Sequence, residues 1–164
     1  MKNLEVKIKY NNFEELRENL CLLGATFIEN LTQKDIYYVV PIGRLKERVV
    51  NGRVELIYYN RPSHAGDKIS RYLIWRSLAA IRLARLMLCR KIIVEKNREL
   101  WQYKSTRIHL DEVKGLGRFI ELETVLAGID DNNGKRELSH VLSKLDIINK
   151  VSMPASYSDM LLAK

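Results

Sequence analysis

Along most of this chain apolar and polar positions alternate with a period of two, in runs rich in Val, Ile, Tyr and Thr, which is the pattern of half-buried β-strands. Such runs predict strands near residues 2–10, 33–39, 43–50, 53–61, 68–76, 91–103, 105–113 and 118–126. Three stretches instead repeat apolar residues at helical spacing: 12–23 (Phe13, Leu16, Leu20, Leu23), 77–89 (Leu78, Ile81, Leu83, Leu86, Leu88) and 135–147. Asn12, Ser77 and Asn133 are placed to cap them, because a short polar side chain can accept a hydrogen bond from the otherwise unpaired first-turn amides. Asn51-Gly52, between two strand runs, is the two-residue signal for a tight hairpin in which both turn positions take positive φ. Strands dominate, so the fold class is α+β. Recognisable loops are short, such as Asn51-Gly52 and Asp131-Asn132-Asn133-Gly134, and no repeat or low-complexity segment divides the chain; residues 1–164 read as one domain.

Successive strand side chains point to opposite faces, so sorting each run by parity shows what each face carries. Leu4, Val6, Ile8 and Tyr10 share one face of the first run; Glu5, Lys7 and Lys9 share the other. Arg44, Lys46 and Arg48 share a face that the hairpin partner can extend with Glu55, Tyr59 and Arg61, and Lys68, Ser70 and Tyr72 continue it. Val94, Lys96 and Arg98 fall together, then Arg107, His109 and Asp111, then Glu121 and Glu123 opposite Ile120 and Leu122. Periodicity alone fits a solvated outer face equally well. Against that, bases gather on some strands and carboxylates on others, which favours a site. A sheet closed into a barrel would bring roughly eight basic side chains near a few carboxylates, a concentration of like charge that an anion or admitted water must relieve. A triphosphate carries up to about four negative charges, Arg meets phosphate oxygens bidentately, and carboxylates can hold bridging divalent ions.

Charge agrees with that partner class: 28 Lys plus Arg against 20 Asp plus Glu give a formal net charge of +8, with no run of five consecutive basic residues to form a disordered arm. No stretch reaches the roughly 18 apolar residues of a membrane span, and Met1-Lys2-Asn3-Leu4-Glu5 lacks the apolar core of a signal peptide, so a cytoplasmic location without membrane contact is expected. Cys21 and Cys89 fall in helical patterns and read as buried free thiols. Tyr37, Tyr38, Tyr58, Tyr59 and Trp75 could stack on bases, but tyrosines on strands are more often packing residues, and nucleic acid is the weaker reading. His109 shares parity with Asp111, yet a lone His is more often structural than an acid or base. The last helix can pack internally or against a second subunit, which leaves a homodimer open.

Glu5-Val6-Lys7-Ile8-Lys9 resembles the Glu-x-Glu-x-Lys signature of the CYTH superfamily, the triphosphate tunnel metalloenzymes. Gln33-Lys34-Asp35-Ile36-Tyr37-Tyr38, Gly43 to Arg48, Leu56 to Pro62 and Lys68 to Tyr72 are similar, in order, to blocks of its class IV adenylate cyclase-like branch. Val94 to Arg98, Arg107 to Val113, Gly115 to Glu123 and Ser156-Tyr157-Ser158-Asp159 continue the resemblance over most of the chain. It implies an eight-stranded antiparallel β-barrel with flanking helices, open as a tunnel. In it Lys9, Arg44, Lys46, Arg48, Arg61, Lys68, Lys96 and Arg98 would hold phosphates of a nucleotide, thiamine triphosphate or inorganic polyphosphate. Glu5, Glu121 and Glu123 would bind Mg²⁺ or Mn²⁺, and Glu5, Lys9, Asp111 and Glu121 would form the catalytic set, for cyclisation or for hydrolysis. Lys7 departs from the signature: it replaces the second Glu, an oxygen donor, by an ammonium group that cannot coordinate a metal, which raises the alternative of binding without turnover.

Overall fold

The structure, a computed structural model, describes residues 3–60 and 71–164. Its elements run β1 (Asn3–Lys9), α1 (Phe13–Leu23), β2 (Thr26–Tyr38), β3 (Arg44–Val50), β4 (Arg53–Asn60), β5 (Arg71–Trp75), α2 (Leu78–Met87), β6 (Arg90–Tyr103), β7 (Thr106–Val113), β8 (Gly117–Val125), α3 (Asp131–Lys144) and α4 (Tyr157–Leu162). The eight strands form one antiparallel sheet in the order β1-β8-β7-β6-β2-β3-β4-β5. Asn51 and Gly52 take φ of 47° and 81°, so the β3–β4 hairpin turns as its dipeptide requires.

The expected barrel is not closed. Among the described residues β1 and β5 are the two edges, and no ladder joins them. The free edge of β1 is instead met by the segment before α4: Ser152 bridges Ile8, and the Met153 amide donates to the Lys7 carbonyl at 2.7 Å. Part of that edge is therefore already satisfied without β5, and the result is a curled, open sheet around a cavity that residues of all eight strands line.

The apolar face of β1, β8, β7 and β6 lies outside the curl. There Leu4, Ile8, Ile108, Leu110, Ile120 and Leu122 pack with Phe13, Leu16 and Leu20 of α1 and Leu138 and Val141 of α3. A smaller cluster joins Ile36, Tyr38 and Leu56 to Ile81 and Ala84 of α2. A third packs Tyr157 of α4 against Tyr37, Val94, Val113 and Phe119, with Tyr37 and Tyr157 also lining the cavity. No helix among the described residues is long and apolar enough to cross a membrane.

Several expectations shift. Asn12 and Ser77 cap α1 and α2, but α3 starts at Asp131, capped by Asp130, so Asn133 and Gly134 lie in its first turn and not in a loop. Gly134 permits that turn to approach Leu126: an added Cβ would stand 2.3 Å from a leucine methyl. β2 begins seven residues before the expected strand, because residues 26–30 are exposed and show no buried alternation; pairing with the similarly long β6 holds them extended. Cys21 and Cys89 are exposed, not buried: Cys21 lies off the Phe13–Leu16–Leu20 stripe and Cys89 follows the end of α2.

Candidate functional site

On four neighbouring strands the inner face alternates base and acid. β3 carries Lys46 and Arg48, β2 carries Asp35, β6 carries Lys96 and Arg98, and β7 carries Asp111. Register places Asp35 directly across from Arg48, and Asp111 directly across from Arg98. Each aspartate thus takes both cations of a Lys-x-Arg pair. Lys46 Nζ lies 2.9 Å from Asp35, and the Arg48 guanidinium grips the same carboxylate through Nε and Nη2 at 2.8 and 2.9 Å. Lys96 Nζ lies 3.0 Å from Asp111, Arg98 Nη2 lies 2.6 Å from it, and the Tyr157 hydroxyl donates to it at 2.8 Å. Burial alone would push the Asp35 carboxyl up, but Lys46 and Arg48 outweigh it and hold the group well below the usual carboxylate range. Asp111 follows the same balance against Arg98 and Lys96. Lys96 is lowered to about 8, by burial first and by the neighbouring Arg98 second, with Asp111 opposing.

The other side of the cavity is acidic. Glu5 faces Glu123 and Lys7 faces Glu121 across β1 and β8, while β7 sets His109 beside Glu121 and Arg107 beside Glu123. Lys7 is 4% exposed. Its ammonium lies 3.8 Å from Glu5 and 3.7 Å from Glu121, 4.4 Å above the Tyr157 ring and 3.5 Å from the Ala155 carbonyl. Arg98 reaches Glu121 at 3.5 Å, Arg107 reaches Glu123 at 3.5 Å, and Asn3 donates to Glu123. His109 is buried with Nδ1 3.7 Å from Glu121, beyond hydrogen-bond reach and without a partner. Burial, reinforced by Arg98, lowers its pKa to about 4, so the imidazole is neutral near pH 7 and Nδ1 can serve as an acceptor.

These residues enclose about 330 Å³, and a neighbouring space of about 510 Å³ shares Arg48, Glu55, Arg98 and His109 with it. Lys46, Arg48, Lys96, Arg98, Glu5, Glu121 and Glu123 stand on this wall, and Asp111 lies directly beneath it. Lys9 is exposed and outside the lining. Arg44 lines a separate pocket and binds Ser156 at 2.9 Å and Asp159 at 3.0 Å, tying α4 to β3. Arg61 and Lys68 lie outside the described residues. Sequence reasoning places Asp35 in a strand but not in the site, because its contacts with Lys46 and Arg48 depend on β2–β3 register; Tyr157, from a separate helix, has no periodic signal. Among the described residues, six cationic side chains meet five carboxylates on this wall, with Asp35 on the strand between the two Lys-x-Arg units.

A family model described as "CYTH domain" matches residues 1–157. The chain belongs to the CYTH family. It is 25% identical to a Methanocaldococcus jannaschii protein that carries the name of a candidate adenylate cyclase, with 98% of each chain covered. A Pyrococcus horikoshii OT3 protein shares its fold at a TM-score of 0.79 and 22% identity, over 96% of this chain and 98% of that one. A candidate adenylyl cyclase from Hippeastrum, whose structure is described as revealing a dominant triphosphatase activity, superposes at a TM-score of 0.70 with 14% identity, over 99% of this chain and 96% of that one.

CYTH triphosphate tunnel enzymes are generally dependent on divalent metal. The acid cluster here does not fit such an ion. Lys7 holds its positive charge within 4 Å of both Glu5 and Glu121, and Glu123 faces Arg107. Among the described residues no three His, Cys, Asp or Glu side chains are arranged to hold a metal.

Proposed function

We propose that the cavity binds the triphosphate of a nucleotide, thiamine triphosphate or inorganic polyphosphate, and that water cleaves its terminal phosphoanhydride bond. The observation that carries this reading is the pair of Lys-x-Arg units on the cavity wall, each aimed by a buried aspartate. Asp35 and Asp111 fix the guanidinium planes, leaving the remaining N–H groups of Arg48 and Arg98 for phosphate oxygens. Phosphoryl transfer needs little more than positioning and charge neutralisation, which such a wall supplies. Water would attack the terminal phosphorus, the bond to the bridging oxygen would break toward the other two phosphates, and the water's proton would pass to neutral His109 or to a phosphate oxygen. The named activity of the Hippeastrum protein supports hydrolysis over cyclisation to cyclic AMP and pyrophosphate, the runner-up. Where Mg²⁺ or Mn²⁺ would meet Glu5 and Glu121, Lys7 already stands between them.

Assays for phosphate, pyrophosphate and cyclic AMP released from ATP, tripolyphosphate and thiamine triphosphate test this directly, with calorimetric binding of each in parallel. Phosphate release and a loss of at least about tenfold in tripolyphosphate affinity in Arg98→Gln are expected. Tight binding with no product selects the second reading, a triphosphate-binding protein without turnover, which Lys7 favours. No binding of any triphosphate overturns both.

A further inference from the structure

The acid cluster on β1 and β8 has its own cation. Lys7 is held there from three directions: Glu5 on its own strand, Glu121 across the pair, and the Tyr157 ring above. Its backbone is fixed as well, since the Met153 amide bonds the Lys7 carbonyl and sets the chain that leads into Ala155 and Tyr157. This side chain cannot swing out to solvent without giving up both carboxylates and the ring. Charge on the wall depends on it: among the described lining residues cations exceed carboxylates by one with Lys7 present, and a carboxylate at that position would leave one negative charge in excess. A wall of the first kind can admit a polyanion alone. A wall of the second kind can admit it only together with a cation.

We infer that Lys7 is a resident cation standing in place of a divalent ion, so that this cavity takes a free triphosphate anion with no metal at Glu5, Glu121 and Glu123. The inference rests on the triphosphate reading above and names the ionic form of the ligand. Metal-complexed triphosphate is then the poorer ligand, because the complex carries less negative charge and brings a second cation toward the ammonium.

Two measurements on the full chain test it independently. The first is titration of Mn²⁺, without phosphate, followed by electron paramagnetic resonance. The wild type is expected to bind none at submillimolar concentration, Lys7→Glu to bind the ion, and the neutral Lys7→Met to bind it more weakly than Lys7→Glu but measurably, since the excluding ammonium is gone. The second is calorimetry of tripolyphosphate in EDTA and in Mg²⁺. The wild type should bind in EDTA with no gain from Mg²⁺, while Lys7→Glu should lose at least about tenfold in EDTA and recover on adding Mn²⁺. Circular dichroism of both variants separates these changes from misfolding, and Lys7→Met carries the test if Lys7→Glu does not fold: it should weaken tripolyphosphate in EDTA without creating a metal requirement. Mn²⁺ binding by the wild type, or tripolyphosphate binding that needs Mg²⁺, would overturn the inference. Absence of tripolyphosphate binding in every condition would overturn the triphosphate reading, and with it the free-anion ligand, while the Mn²⁺ titration still decides whether Lys7 excludes metal.

Discussion

Asp111 shows how a buried carboxylate can prepare a site for an anion. It is fully buried under Lys96, Arg98 and Tyr157, and its charge keeps two cations in place two residues apart on one strand. The cost falls on Lys96, which burial and Arg98 lower to about 8. Below pH 8 Lys96 is charged both folded and unfolded; from about 8 to its ordinary value near 10.5 the folded state has released a proton that the unfolded chain keeps. Over that window the lysine's own contribution to stability rises with pH, because the unfolded state binds more protons. Ligand affinity moves the other way, since a neutral amine no longer attracts phosphate. Calorimetry should therefore show tripolyphosphate affinity falling severalfold between about pH 7 and 9, and Lys96→Met should flatten the profile.

At the scale of elements, six-residue α4 has the largest effect for its size. It is too short to be stable alone, and a capping box holds it: the Asp159 amide donates to Ser156 Oγ at 3.2 Å, the Ser156 amide donates back to Asp159, and Arg44 bridges both side chains. The cap sets Tyr157 beneath the cavity, against Asp111 and Lys7. Ser156→Ala should cost about 1 kcal/mol in urea unfolding. It should also weaken tripolyphosphate binding, although Ser156 is not one of the Lys-x-Arg residues, because Tyr157 loses its anchor.

For the whole molecule, the open curl decides where the sheet is firm. β7 and β8 are paired on both sides and packed under α1 and α3, whereas five-residue β5 pairs only with β4 among the described residues. Amide hydrogen exchange should therefore be slowest in β7 and β8 and fastest in β5. If a triphosphate bridges the Lys-x-Arg units of β3 and β6, its addition should slow exchange in β3 and β4 more than in β8.

The period-two pattern by itself determined six of the strands closely, the described part of β5, the β3–β4 turn, and which side chains share a face, because pleating fixes alternation locally. It put Lys46 with Arg48, Lys96 with Arg98, and Glu121 with Glu123 on single strand faces, while their grouping as one site came from the family resemblance. It was not enough to say whether the charged face looks inward, since alternation is the same on either side of a curl. The partners of those charges needed the register of strands far apart in sequence: β2 against β6 puts the two Lys-x-Arg units on either side of the Asp35 strand, and β1 against β8 sets Lys7 opposite Glu121. Tyr157 enters from a helix after the sheet is complete, so only the tertiary structure could show an ammonium enclosed between two carboxylates and a ring.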